Sequence, residues 1–178
     1  VAAEIKRVYQ RDAAVIHPPV PVGEFPLGEG EGDYFLSVSR LISHKRVDLA
    51  VKACSQLKQR LVVVGDGPER KNLEKMAGDT VTFTGQVSGD ELKKLFAGAR
   101  ALIFPSREDY GIVPLEAQAC GRPVIAFGQG GVLETVIPGK TGVFFSAQTV
   151  ESVTAAITEF NKMTFNLREI RAWAGNFD

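Results

Sequence analysis

"YFLSVSRLISHKRVDLAVKACSQLKQRLVVVG" occupies residues 34–65, and its hydrophobic rhythm changes twice. Residues 34–39 and 61–65 are short apolar runs of strand length. Residues 46–57 between them repeat apolar side chains at helical spacing. Strand, amphipathic helix and strand in about thirty residues form a βαβ unit, the connection that parallel strands require. Strands apolar on both faces belong to a sheet covered by helices on each side, not to one with a wet face.

Working outward, the alternation continues. A helix is predicted from Pro68 to near Gly78, a strand over 81–85, and a helix over 89–99 with Asp90 as N-cap. A strand over 101–105 precedes a short helix over 114–121, with Pro114 at its first position and Gly121 at its end. Then come a strand (123–127), a short helix (131–137), a strand (142–145) and helices over 150–160 and 166–175. Toward the N-terminus, "HPPVPVGEFPLGEGEG" (17–32) is dominated by proline and glycine and reads as an extended, mobile segment outside the core. A short apolar run (13–16) and an opening helix beginning at residue 1 precede it. The predicted fold is α/β, a Rossmann-like doubly wound parallel sheet.

Composition narrows the function. The 178 residues carry 21 Lys+Arg and 21 Asp+Glu, so no bulk charge attracts nucleic acid or an anionic membrane, and any phosphate binding must be local. No apolar run reaches the ~20 residues of a membrane span, and no signal peptide opens the chain. Cys54 and Cys120 lie far apart without neighbours at metal-ligand spacing, which leaves buried free thiols and no metal site. The chain begins without Met and in mid-helix, as a piece of a longer protein would.

Open α/β sheets bind ligands beyond the carboxyl ends of their strands. That rule selects Arg40 and Lys45, the glycines at 65 and 67, residues 85–87, residues 105–113 and "GQGG" at 128–131. "GDGPERK" fails the dinucleotide fingerprint, because Arg70 stands at the third glycine position, and no Walker sequence is present. The glycines at 65 and 67 therefore read as a strand-to-helix turn, while "GQGG" suits a turn and a phosphate approach equally. Arg40 and Lys45 offer a guanidinium fork and a compact cation to a diphosphate. In "SREDYGIVPLEAQACGRPV" (106–124), Glu108 and Glu116 are separated by Gly111 and Pro114, which place Glu108 on a loop. Glu116 is expected in the first helical turn, and Gly111, Ile112 and Val113 would lead into the helix N-terminus, where free amides hold anions. Spacing alone favours a plainer reading: a dipole-stabilising Glu116 and an exposed Glu108.

"REDYGIVPLEAQACGRPVIA" resembles the E-x7-E signature of retaining GT-B glycosyltransferases of family GT4. So, in order, do "SVSRLISHKRVDLAVKA", "LVVVGDGPERKNLE", "VTFTGQVSGDELKKLFAGARALIFPS" and "GGVLETVIPGKTGVFF". The resemblance covers roughly residues 33–160. It implies the C-terminal, donor-binding half of a GT-B enzyme, in which residues 33–178 bind a nucleotide sugar. Residues 1–32 would supply a helix and an interdomain crossing, and the N-terminal acceptor domain would be missing. By resemblance Glu116 binds the ribose hydroxyls, Glu108 the donor sugar, and Arg40 with Lys45 the diphosphate leaving group. The Gly111 and Ile112 amides face the sugar and distal phosphate, Tyr110 and Val113 belong to the same donor-binding stretch, and Gly85 with Val87 meets the base.

The implied reaction is hexose transfer, with GDP-mannose or a UDP-sugar as donor and a glycan or lipid-linked acceptor. It needs no metal or other cofactor and no nucleic acid, and the piece alone is expected to be inactive. His17 is expected at the interdomain crossing and His44 on a solvated loop. The expected location is the cytoplasm, including, for the full-length protein, the inner face of the membrane. A nucleotide-sugar epimerase and a non-catalytic nucleotide-sugar-binding module are the competing readings.

Overall fold

The computed structural model describes residues 2–178. Six parallel strands form one sheet: β1 (Phe35–Val38), β2 (Leu61–Val64), β3 (Val81–Gly85), β4 (Ala101–Phe104), β5 (Val124–Phe127) and β6 (Gly142–Phe145). Their spatial order is β3-β2-β1-β4-β5-β6, the doubly wound arrangement. Phe35 pairs with Leu61 on one side and Ala101 on the other, so β1 is central and the winding reverses between β1 and β4.

The continuous apolar runs divide by parity. Phe35, Leu61, Val63, Ala101, Ile103, Ile125 and Phe127 face one layer, which contains α2 (Val47–Leu57), α3 (Arg70–Met76) and α7 (Val150–Phe160). Leu36, Leu102, Phe104, Val124 and Ala126 face the other, with α4 (Gly89–Gly98), α5 (Ile112–Ala119), α6 (Val132–Thr135) and α8 (Leu167–Ala174). A strand whose every side chain is buried needs a helical layer on both faces, and this is the arrangement found. The opening helix, α1, is seen over Ala2–Tyr9; Val1, where it was expected to begin, lies outside the described residues.

Four local expectations are corrected. Ser88, not Asp90, caps α4: its extended backbone (ψ 160°) aims its hydroxyl at the Glu91 amide, whereas Asp90 is already helical. α3 starts at Arg70 rather than Pro68, and α6 closes after one turn at Thr135. Helix α5 starts at Ile112, with Gly111 in the left-handed region (φ 85°) as N-cap, which moves Pro114 to the third position. Proline is tolerated there because that amide has no intrahelical acceptor in any case.

The proline- and glycine-rich segment is also not outside the core. Val20, Val22 and Phe25 are buried among α4, α5 and α8. Two arginines fasten it. Arg171 donates from Nη1 to the carbonyls of Phe25 and Ala119 at 2.6 Å each and from Nη2 to Val22 at 2.9 Å. Arg122, 1% exposed, donates to the carbonyls of Ala97, Gly30 and Glu29 at 2.8–2.9 Å. Proline leaves carbonyls without the matching amides, and a guanidinium fork with five donors satisfies several at once. A Cβ at Gly28 would overlap the Arg122 guanidinium, so this turn must pass as bare backbone.

Candidate functional site

The reversal between β1 and β4 sends their following loops apart and opens a crevice between them. The loop after β1 turns through a short 3₁₀ segment, Ser43–Lys45, and then through Arg46 in the left-handed conformation (φ 52°) before α2 begins. Lys45 thus sits ahead of the helix, on the crevice side. The loop after β4 carries Glu108. The two meet: Lys45 Nζ lies 2.6 Å from Glu108 Oε1, with 22% and 25% of the side chains exposed.

The glycine loop after β5 sets the position of Glu108. The Gly131 amide donates to the Glu108 carbonyl at 2.8 Å, and Glu108 and Gly130 form an isolated parallel bridge. A Cβ at Gly130 would overlap the Glu108 carbonyl, and one at Gly131 would overlap the backbone of Tyr110. Of the two uses "GQGG" suited, the structure assigns Gly130 and Gly131 to close backbone packing that holds the 108–110 loop.

Arg40, Val87 and Val113 line one open cleft of about 690 Å³ along the carboxyl ends of β1–β3, together with Ser39, Asp66 and Gln86. Gly65 and Gly67 form its floor, where a Cβ would overlap the carbonyls of Ser39 and Leu41 respectively; close backbone approach explains both glycines. Gly85, at the end of β3 with φ 74°, is buried, and its carbonyl accepts from the Gly65 amide at 2.8 Å. No side chain caps α5, so its first amides open toward the crevice. Arg40 is exposed, as is His44.

Glu116 lies in the second turn of α5, not the first as expected, because the helix starts two residues early. It does not line the cleft itself but stands three residues beyond Val113, which does, so the two are neighbours on the helix surface. Burial raises its pKa above the ordinary carboxylate value, and no hydrogen bond or ion pair to its carboxylate exists among the described residues. A half-covered acid without a partner is costly in a resting protein and suited to accept hydroxyl hydrogen bonds from outside.

Tyr110 is placed differently from its companions. Its ring stacks on His17 (centroids 4.9 Å apart, 23° between planes) and its hydroxyl donates to the Pro18 carbonyl at 3.3 Å. It therefore faces the His17–Pro18 segment rather than the cleft, and His17 also lies 3.4 Å from the Glu134 carboxylate.

Two cleft groups escaped the sequence reading. Asp66 was absorbed into a glycine turn, yet its carboxylate lines the cleft, accepting from the Gly67 amide at 2.7 Å and Arg70 at 3.0 Å. Those bonds, the Gly67 amide first, hold its pKa below the ordinary value. The Ser39 hydroxyl is buried at the cleft edge without a partner among the described residues. Its only signal was its place directly after β1. Among the described residues no group of three or more His, Cys, Asp or Glu is placed to hold a metal ion, and no helix is long and apolar enough to cross a membrane.

Taken together, the carboxyl ends of the strands gather the cations Arg40 and Lys45, the uncapped amides of α5 and the acids Asp66, Glu108 and Glu116, a set that can meet an anion carried between hydroxyl-bearing groups. Residues 24–173 match the family described as "Glycosyl transferases group 1". A GDP-mannose-dependent alpha-(1-6)-phosphatidylinositol monomannoside mannosyltransferase of Mycolicibacterium smegmatis is 36% identical over 148 residues, covering 73% of this chain and 39% of that protein. A sulfoquinovosyl transferase of Arabidopsis thaliana is 37% identical over 131 residues, covering 70% and 26%. Sucrose-phosphate synthase from Thermosynechococcus elongatus superimposes with a TM-score of 0.80 at 27% identity, over 98% of this chain and 49% of that one. The chain thus spans less than half the length of each of these relatives.

Proposed function

The chain belongs to the glycosyl transferases group 1 family, and from that premise we propose that it is the nucleotide-sugar donor-binding domain of a retaining glycosyltransferase that transfers a hexose to a glycan or lipid-linked acceptor. The observation that carries the reading is Glu116, a half-covered carboxylate without a partner among the described residues, next to the cleft-lining Val113 on α5. A ribose diol supplies the two donors such a group lacks. Lys45 and Arg40 take the diphosphate, the α5 amides the distal phosphate, Glu108 the donor sugar, and the backbone of Gly85 and Val87 the base. Charge that develops on the departing diphosphate then meets groups already in place, which is electrostatic stabilisation without reorganisation. The bond from the anomeric carbon to the distal phosphate breaks, the acceptor oxygen replaces it, and the acceptor proton passes to the departing phosphate.

GDP-mannose is the donor we favour, supported by the GDP-mannose dependence of the mannosyltransferase relative at 36% identity; a UDP-sugar is the alternative. Acceptor binding is assigned to a second domain outside these residues, so this chain alone should bind donor and transfer sugar poorly or not at all. Calorimetric titration with GDP, UDP and ADP, then with GDP-mannose and UDP-glucose, tests the reading. Selective binding of one nucleotide, weakened by Glu116→Ala, is the expected result. Binding of none, or binding indifferent to Glu116, overturns it.

A further inference from the structure

The Lys45–Glu108 ion pair carries an inference that rests on the donor-site reading and goes past it. We propose that Glu108 makes this site prefer a nucleotide sugar to the free nucleoside diphosphate, by holding Lys45 in a pair that the sugar can relieve and a bare diphosphate cannot.

The pair is short, 2.6 Å, and about three-quarters of each side chain is covered, so solvent and salt weaken it less than a surface pair. Neither partner is free to follow the other far. Glu108 is fixed at its backbone by the Gly131 amide and the bridge to Gly130. Lys45 ends a single 3₁₀ turn closed by the left-handed Arg46. An anion arriving at Lys45 must share or divide the pair.

The two ligands differ in what they can return to Glu108. A carboxylate only accepts hydrogen bonds. The distal phosphate of a nucleotide sugar is a diester with one negative charge, and the attached sugar brings hydroxyl donors. Glu108 can exchange the ammonium for a hydroxyl, and Lys45 is released to the diphosphate. The terminal phosphate of a free diphosphate carries more charge near neutral pH, because its second ionisation lies near pH 6, and brings no such donor. Glu108 then either keeps Lys45 and withholds it, or faces the phosphate as one anion against another. The free diphosphate is the leaving product of transfer, so the same pair favours its departure. One partly screened like-charge contact at this depth is worth about a tenfold change in affinity.

The test is calorimetric titration of the parent chain, E108Q, E108A, Lys45→Met and the E108Q/Lys45→Met double variant with GDP, GDP-mannose, UDP and UDP-glucose. Removal of the charge in E108Q should tighten the bound diphosphate about tenfold, roughly 1.4 kcal/mol. The corresponding nucleotide sugar should not tighten, and the gain should vanish in the double variant. E108A, which removes the carboxylate without adding an amide, should also tighten the diphosphate and guards against an artefact of the glutamine. Diphosphate affinity that is unchanged or weaker in both Glu108 variants overturns the proposal, as does equal tightening of diphosphate and nucleotide sugar, or a gain that survives loss of Lys45. If Glu116→Ala weakens nucleotide binding in the same assay, such a failure falls on Glu108 alone. If Glu116→Ala has no effect, or no nucleotide binds the parent chain, the donor-site reading falls with it.

Discussion

Replacing Glu116 with Gln keeps the side chain's shape and removes its charge, and its effects on the free and bound states should have opposite signs. In the free protein the carboxylate is half-covered and has no hydrogen bond or ion pair among the described residues, so folding gains nothing from its ionisation. Burial raises its pKa, which means the folded state holds the proton more tightly than the unfolded chain. Stability from this group therefore grows as pH falls through the raised folded pKa and is absent above it. Glutamine removes the desolvated charge, and Tm should hold or rise by up to about 3 °C for a chain of this size. Binding depends on the ionised form. Two ribose hydroxyls donating to a carboxylate make charge-assisted bonds of about 1.5–3 kcal/mol each, against about 0.5–1.5 for neutral ones. Glutamine weakens one and loses the other, a net cost of about 2–3 kcal/mol, or roughly 30- to 150-fold in Kd.

Calorimetric titration with the preferred diphosphate nucleotide, from pH 7.5 downward, reads both effects. The parent chain should lose more affinity than the Gln variant as pH falls through a range above that of an ordinary carboxylate, since protonation of the ligand's own terminal phosphate weakens both alike. A Kd within twofold of the parent, or a fall in Tm parallel to the loss of affinity, would refute the reasoning and make Glu116 a structural group.

Lys45→Met should weaken GDP or UDP by tenfold or more and leave the nucleoside unaffected in the same titration, because without the ammonium the diphosphate meets an uncompensated Glu108; equal losses would point to a folding defect. Gly131→Ala should push the 108–110 loop out of place, because the added Cβ meets the backbone of Tyr110. We expect a cost of about 1–3 kcal/mol in urea unfolding and a loss of nucleotide-sugar affinity; an unchanged midpoint and affinity would show that the loop does not depend on this packing. Arg122→Met should cost about 3 kcal/mol or more, since the carbonyls of Ala97, Gly30 and Glu29 lose their donors. A chemical-denaturation midpoint equal to the parent's would show that those carbonyls find other partners.

Element type was readable because it depends on local pattern. The runs at 61–64, 101–104 and 124–127 are apolar at every position and that at 35–38 at all but Ser37, a pattern that suits strands buried on both faces of a parallel sheet. Helix starts were less readable. Pro114 is a familiar first residue, yet Gly111 adopts φ 85° and opens α5 earlier, which changes the turn that carries Glu116. Local composition also misjudged residues 17–32. Proline and glycine argued for a loop outside the core, but Arg122 and Arg171, distant in sequence, supply the donors its carbonyls need and draw Val22 and Phe25 inside.

By itself the sequence determined the layered α/β class, the loops at which a ligand could bind, and the residue types held there, because periodicity and turn chemistry act over a few residues. Only the tertiary structure decided which of those residues meet. Lys45 and Glu108 are 63 positions apart, and they touch because β1 and β4 are neighbours at the point where the winding reverses. Strand order is a property of the whole sheet and is written in no single segment. The same holds for Glu116, whose lack of a partner among the described residues is set by everything packed around it, and for Tyr110, whose ring and hydroxyl are held by His17 and Pro18.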